Sequence, residues 1–453
     1  MSGKYQAYPE YKDSGVEWLG KLPTNWGGVR LKYLAPIVTE KATDRRNPLG
    51  LENIESWTGK LQVTDSEFQG DGTRFIAGDL LFGKLRPYLA KVLLAQSEGE
   101  AVGDFHVLRP LHNDSRYLQY QMLTREFISI VDGSTYGAKM PRASWEFMGN
   151  LTCSRPSLIE QRTIAAFLDH ETARIDRLIE KQQRLIELLK EKRQAVISHA
   201  VTKGLDPNVP MKDSGVEWLG QVPEHWDVLA VNQATQKITN GYVGPTRDIL
   251  VESGTPYVQA THIKNGKINF DGGYFVTGIW SLKHKKSILK KGDVLVVQTG
   301  AGTGDVGLVS DSEEGYNCHA LIILQPIKKK ISGDYLSLVL RSAYGQSVLY
   351  SIRTGGMHPH LNCSEVKFVK LPVPSTGEQH AISEYVSDVI KKYADLMVLT
   401  QRQIQLLQER RIALISAAVT GKIDVRNWQP NTSPQAIEPD LPMAAEQSAE
   451  YRV

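Results

Sequence analysis

Apolar and polar positions divide the chain into stretches of two kinds. From Ile164, apolar residues recur on a three-and-four spacing: Ile164, Leu168, Ile175, Leu178, Leu185, Leu189 and Val196. Glu171, Gln182 and Lys192 interrupt the stripe, charged residues fill the other faces, and Gly and Pro are absent from Ile159 up to Gly204. Ile382, Val386, Ile390, Tyr393, Met397, Ile404, Leu407 and Leu414 form a similar stripe further on. The pattern predicts two long amphipathic helices, about 158–201 and 376–420, with seams that face each other. Residues 160–200 alone would extend ~60 Å. Regions 27–155 and 227–373 instead hold short apolar runs broken by Gly, Asn and Asp. Among them are DLLFGKL (79–85), AKVLLA (90–95), DVLVVQTG (293–300) and VGLVS (306–310). These predict strands in mixed α/β or mostly β domains.

The same order of elements occurs twice. KDSGVEWLGKLPTNW (12–26) returns as KDSGVEWLGQVPEHW (212–226), at an offset of 200. RLIELLKEKRQAVISHAVTKGLD (184–206) aligns without a gap to RQIQLLQERRIALISAAVTGKID (402–424), at an offset of 218, as do the two Glu-Gln pairs at 160–161 and 378–379. The region between the repeats is not visibly repeated and absorbs the change in offset. One scaffold used twice to hold two different domains is the reading such duplication supports.

Connectivity then gives a geometry. The second helix must return along the first for the two apolar seams to meet. The expected fold is α+β, with two globular domains at opposite ends of a long antiparallel two-helix coiled coil. The internal repeat makes the arrangement pseudo-two-fold and nearly circular. The segments are 1–155, 156–207, 208–373 and 374–424. A tail, 425–453, is rich in Pro, Ser, Gln and Glu and is expected to be disordered.

Bulk properties narrow the class. A chain of 453 residues with 41% apolar and 23% charged residues exceeds one ordinary core. The formal net charge of +3 requires any basic footprint to be local. Three cysteines, no apolar leader in MSGKYQAYPEYKDSG and no run approaching ~20 apolar residues lead to the expectation of a cytoplasmic chain with no membrane association.

A search for catalytic chemistry returns little. There is no P-loop pattern, no G-x-S-x-G elbow and no Asn/Asp-Pro-Pro-Tyr/Phe tetrapeptide of amino-methyltransferases. Glu365-Val366-Lys367 is half of a nuclease pattern whose Pro-Asp partner is missing. Gly302-Thr303-Gly304-Asp305-Val306-Gly307 matches GxGxxG, but the residues after it predict a strand and a turn where a dinucleotide site needs a helix. His358-Pro359-His360 with Cys363, and Cys318-His319, have no standard zinc spacing.

Features suited to nucleic acid are more frequent. The first domain offers Lys41, Arg45 and Arg46, then Lys84, Arg86 and Tyr88, then Lys139 and Arg142. The second offers Lys264 and Lys267, strand-end Gln298 and Thr299, Thr303 in the glycine turn, and Arg353, His358, His360 and Asn362. Lys and Arg neutralise phosphates, while Arg, Asn, Gln and His reach base edges. The loops 135–144 (TYGAKMPRAS) and 353–362 (RTGGMHPHLN) share the 218 offset, so Pro141 matches Pro359 while the polar side chains differ. Two readers of different sequences would carry that pattern.

At this point the chain resembles the specificity subunits of type I restriction–modification enzymes. The resemblance rests on the repeated KDSGVEWLG…P…W leads and on PSLIEQRTI (156–164) and PSTGEQHAI (374–382) at the two helix openings. The GD-apolar segments at 78–82 and 292–296 complete it. It implies two target recognition domains, each reading half of a bipartite double-stranded DNA sequence, with the helices setting the spacer between the halves. It also implies two modification (methyltransferase) subunits and restriction/translocase subunits as partners. S-adenosylmethionine, ATP and Mg2+ would then belong to those partners, and this chain would hold no cofactor, no metal and no catalytic residue. A coiled-coil scaffold that binds proteins through its end domains, and a stand-alone DNA-binding regulator, are the competing readings.

Overall fold

The structure is a computed structural model that describes residues 5–42, 47–62, 64, 72–135, 139–355 and 359–430. The chain divides into two compact units, Met1–Gln183 with Gln401–Ala449, and Arg184–Thr400 with Glu450–Val453. The helical expectation is met. One helix runs Leu158–Lys203 and the other Thr376–Val419. Each helix contributes to both units, where the sequence reading set the helices apart as segments of their own.

Among the described residues, each unit is built on a four-stranded antiparallel sheet with the same strand order. In the first unit that order is Ile37–Val38, Phe105–Leu108, Leu80–Gly83, Val92–Leu94. In the second it is Thr235–Asn240, Leu321–Pro326, Val294–Val297, Val306–Leu308. The central strands are buried along their whole length, as expected of strands covered on both faces. Thus the region between the sequence repeats is itself repeated in backbone. Its duplication escapes the sequence because buried strands accept any apolar residue of suitable volume.

The sequence repeats correspond to one recurring joint. The Trp26 indole N–H donates to the buried Glu160 carboxylate at 3.0 Å, and Trp226 donates to Glu378 at the same distance. Glu160 also accepts from the Tyr8 hydroxyl at 2.7 Å, while Glu378 lies 3.0 Å from His225 Nε2. The neighbouring glutamine anchors the helix opening. Gln161 Oε1 accepts from the Asp114 amide and Gln379 Oε1 from the Ser332 amide, each at the N-cap of the next domain helix. A tyrosine in that helix reaches back to a long-helix terminus. Tyr117 donates to the Val419 carbonyl at 3.2 Å and Tyr335 to the Val201 carbonyl at 3.1 Å.

The seams are covered within each unit. Ile164, Phe167, Leu168 and Ile175 cluster with Leu414, Ile415 and Ala418, and Ile197, Ala200 and Val201 with Ile382 and Val386. Glu171, which breaks the apolar stripe, is buried and accepts from the Tyr5 hydroxyl at 3.3 Å. In the first unit Arg411, 7% exposed, donates to Asp176 at 3.0 Å and to the Trp57 and Thr58 carbonyls. The domain loop is thereby held on both helices at once.

Packing extends beyond residue 424, where the sequence pattern loses periodicity. Val425 is buried, Arg426 grips Asp424 and lies 4.9 Å over the Tyr8 ring, and Trp428 packs edge-on against Phe167. These contacts hold the chain against the N-terminal lead, where the Asp424 amide donates to the Gln6 carbonyl at 2.7 Å. The rest of the tail, 431–453, lies outside the described residues.

Candidate nucleic-acid interface

In the first unit the strand Leu80–Gly83 runs directly into Lys84, Leu85 and Arg86. The loop before the helix Trp145–Gly149 closes on that strand end. The Ala143 amide donates to the Lys84 carbonyl (2.8 Å), the Arg86 amide donates to the Pro141 carbonyl (2.8 Å), and Leu85 bridges Arg142. Asp104 fixes the cations. Arg142 contacts it through Nε (3.0 Å) and Nη2 (3.1 Å), and Lys84 Nζ lies 3.7 Å from the same carboxylate. A bidentate pair of this kind sets the plane of the guanidinium. Beneath the loop, buried His106 hydrogen-bonds the Ala143 carbonyl through Nε2 at 3.0 Å. Burial lowers its pKa, so the ring is neutral at pH 7. Arg86, Tyr88 and Lys139 are exposed around this joint. Lys41 sits apart from them in sequence and sheet, on the edge strand Lys41–Ala42 of the other four-stranded sheet. Arg45 and Arg46 lie outside the described residues.

The second unit repeats the joint with other side chains. The strand Val294–Val297 runs into Gln298 and Thr299, the Leu361 amide donates to the Gln298 carbonyl (2.9 Å), and Thr299 bridges His360. Thr354 and His360 exchange both backbone hydrogen bonds, at 2.9 and 2.8 Å, and so close the 353–362 loop on itself. His360 Nε2 lies 2.8 Å from Asn362 Oδ1 and 3.4 Å from Gln298 Nε2. The shorter contact puts the ring proton on Nε2, donating to Asn362, and leaves the Asn362 amide N–H groups for a ligand. His358 lies outside the described residues.

Not every polar candidate faces outward. Thr303 is buried, and its hydroxyl donates to the carbonyls of Gly300 (2.7 Å) and Pro359 (3.2 Å). Arg353 donates to the Thr303 carbonyl and lies 4.9 Å over the Tyr350 ring. Gln298 is buried as well. These three brace the glycine turn against the loop, while Thr299, His360 and Asn362 remain accessible or half-accessible. A polar residue in an aperiodic loop carries no sequence signal of its direction.

The GxGxxG segment is the turn between strands Val294–Val297 and Val306–Leu308, with the Asp305 carbonyl accepting from the Val297 amide (2.8 Å). A strand follows the glycines, so no helix N-terminus is there to face a pyrophosphate. Lys264 and Lys267 are exposed on the hairpin Ile263–Lys264 and Lys267–Ile268, whose turn docks through Gly266 onto Gly307. Among the described residues no group of His, Cys, Asp and Glu is arranged to hold a metal ion.

What sequence reasoning missed is the support. Asp104 and His106 carry no motif, and their positions opposite Lys84 and Ala143 follow only from strand pairing. At the tip of the lysine hairpin Asn265 and Gly266 both have positive φ (53° and 82°), as an Asn-Gly hairpin turn requires.

A family model described as "Type I restriction modification DNA specificity domain" matches residues 223–406. A type I restriction enzyme specificity subunit (MjaVIII) of Methanocaldococcus jannaschii is 23% identical over 323 residues, covering 69% of this chain and 71% of the relative. A second from the same organism, the putative MjaX specificity subunit, aligns over 93% of this chain and 99% of its own length at 24% identity. Over nearly its whole length the chain is similar to type I restriction–modification specificity subunits. A chain from a structure of a type I restriction–modification system, concerned with complex assembly and conformational transition, shares the fold. It has a TM-score of 0.70 and 16% identity, and the match covers 89% of this chain and 99% of that one. The specificity-domain match lies over the second unit's loop and strand ends, and the first unit repeats the same joint.

Proposed function

We propose that this chain is the non-catalytic DNA-reading subunit of a type I restriction–modification assembly, with one recognition domain for each half of a bipartite duplex target. The observation that carries the reading is the doubled joint: Leu85 bridging Arg142, and Thr299 bridging His360. The backbone frame is the same and the presented side chains differ, as two readers of unlike half-sites require. Lys84, Arg86, Tyr88, Lys139 and Arg142 would serve the first half-site, with Lys41, Arg45 and Arg46 as phosphate contacts. Thr299, His360 and Asn362 would serve the second, with Lys264 and Lys267 on phosphates and His358 in the same loop. In this reading Gln298, Thr303 and Arg353 act as positioning residues.

Segments 1–155 and 208–373 are then the two recognition domains with their leads, and 156–207 and 374–424 the helices between them. A helix of 46 residues would span ~70 Å, about two turns of B-DNA at ~34 Å each. On that basis the helices act as a spacer ruler. They would also offer docking sites for two methyltransferase subunits and for restriction subunits, which would bring S-adenosylmethionine, ATP and Mg2+. Reading chromosomal DNA places the assembly in the cytoplasm.

Genome-wide maps of methylated bases in the host, with and without this chain, test the proposal. A two-part motif with a fixed gap should vanish when the chain is removed. An unchanged set of methylated motifs would contradict it.

A further inference from the structure

A second polar and aromatic surface adjoins the His360 loop in the second unit. The strand Thr235–Asn240 ends at Asn240, whose Oδ1 accepts from the Cys363 thiol at 2.8 Å. Cys363 directly follows Asn362, so Asn240 is fastened beside the loop that presents His360 and Asn362. The thiol occupies the amide oxygen, while among the described residues the Asn240 amide nitrogen has no partner and is not buried. Asn240 is thus oriented to offer N–H donors.

Two residues on, backbone bonds fix Tyr242. Its amide donates to the Cys318 carbonyl (2.9 Å) and its carbonyl accepts from the Ala320 amide (2.9 Å). Its half-buried ring meets Trp280 edge-on at 4.9 Å and His284 at 5.0 Å. Trp280 and His284 stack on each other at 3.9 Å, and His284 Nδ1 is held 2.8 Å from the Trp280 carbonyl. Lys283, Lys285 and Lys286 are exposed on the same turn, and Lys237 Nζ reaches the Lys286 carbonyl at 3.5 Å. Partly exposed aromatic rings beside several lysines form a surface suited to nucleotides. Rings meet sugar and base faces, and ammonium groups meet phosphates.

We propose that the second half-site is read at two contiguous points: the His360–Asn362 loop, and the corner formed by Asn240 and Tyr242 on the Trp280–His284 stack. Asn240 is a specificity-determining residue that donates to an acceptor-bearing base edge. Tyr242 is a positioning residue that sets the corner, and Lys283, Lys285 and Lys286 anchor the adjoining backbone. The inference rests on the DNA-reading function proposed above. It extends the reading face to Asn240 and Tyr242, which neither charge runs nor loop alignment single out.

The test uses the assembly purified from its host through a tag on this chain, bound to a randomised duplex library, with His360→Ala as the reference. Asn240→Asp keeps the acceptor for the Cys363 thiol and removes both donors. It should cost about five- to 150-fold in discrimination at one or two positions of the second half-site, the range for loss of a good base contact, with no change in the first half-site or in thermal unfolding. A Lys283→Gln/Lys285→Gln/Lys286→Gln variant should weaken all sequences alike and flatten the salt dependence by about 0.9 per lost phosphate contact. If His360→Ala alters the motif while Asn240→Asp and the triple variant leave motif and salt slope unchanged, the two-point proposal is overturned and DNA reading stands. If His360→Ala also leaves the motif intact, DNA reading by this face fails as well.

Discussion

Trp26 and Glu160 lie far apart in sequence, yet their contact explains why a tryptophan and a glutamate sit at fixed places in each repeat. Removing the indole N–H leaves a buried carboxylate short of a donor, at a cost of about 1.5–3 kcal/mol for a bond to a charged group. Trp26→Phe should lower the urea midpoint of the first unit accordingly. Trp226→Phe should lower that of the second by less, because Glu378 keeps 27% of its side chain in solvent. Equal small losses in both would argue against a structural role for the joint. Burial also lowers the pKa of His106 in the first unit and of His262 and His319 in the second. The unfolded chain therefore takes up protons first, near pH 6.5. The stability contributed by the neutral rings is present above that pH and is lost as pH falls below it. Denaturation midpoints should drop between pH 7.5 and 5.5, with a shallower slope in His106→Asn; a slope identical to the parent would rule out His106 as a contributor. At this scale the sequence was only partly legible. It marked Asp79 and Asp293 through their Gly-Asp pairs, but not that Asp79 grips Arg109 at 2.8 Å while Asp293 meets the neutral Gln325 at 3.3 Å. Those partners arrive by strand pairing.

Elements were easier to read, because period and turn chemistry are local. The stripes from Ile164 and Ile382 gave both long helices, and the four short apolar runs gave two central strands and the edge strands beside them. Direction within loops was not local information, so Gln298, Thr303 and Arg353 looked like Thr299 and His360. The hairpin at Lys264–Lys267 shows what turn chemistry controls. Gly266 has φ 82°, and a Cβ there would run into the half-buried Arg341 guanidinium. Gly266→Ala should cost about 1–2 kcal/mol, the penalty for an L side chain in the left-handed region. It should also loosen the hairpin from Gly307, seen as faster amide exchange at Leu308, whose N–H donates to the Gly266 carbonyl at 3.1 Å. Unchanged exchange there would mean that the hairpin is not held by its turn.

Over the whole chain, duplication was legible at its ends and hidden in its middle. Trp, Glu and Gln of the joints must keep their chemistry, whereas the paired sheets need only volume and strand order. The similarity to specificity subunits fits that division between a constant frame and variable readers. If the helices set the spacing between half-sites, inserting one helical turn near Thr202–Leu205 should change the gap in the methylated motif and neither half-site. A motif with its gap intact would remove the ruler from the account.

The most direct measurement compares Arg142→Ala with His360→Ala in the host, by mapping the methylated motif of each. Two readers on one frame predict that Arg142→Ala relaxes one half-site, His360→Ala relaxes the other, and the gap stays fixed. Relaxation of the same half-site by both, or uniform loss of methylation with no change of motif in either, would contradict it.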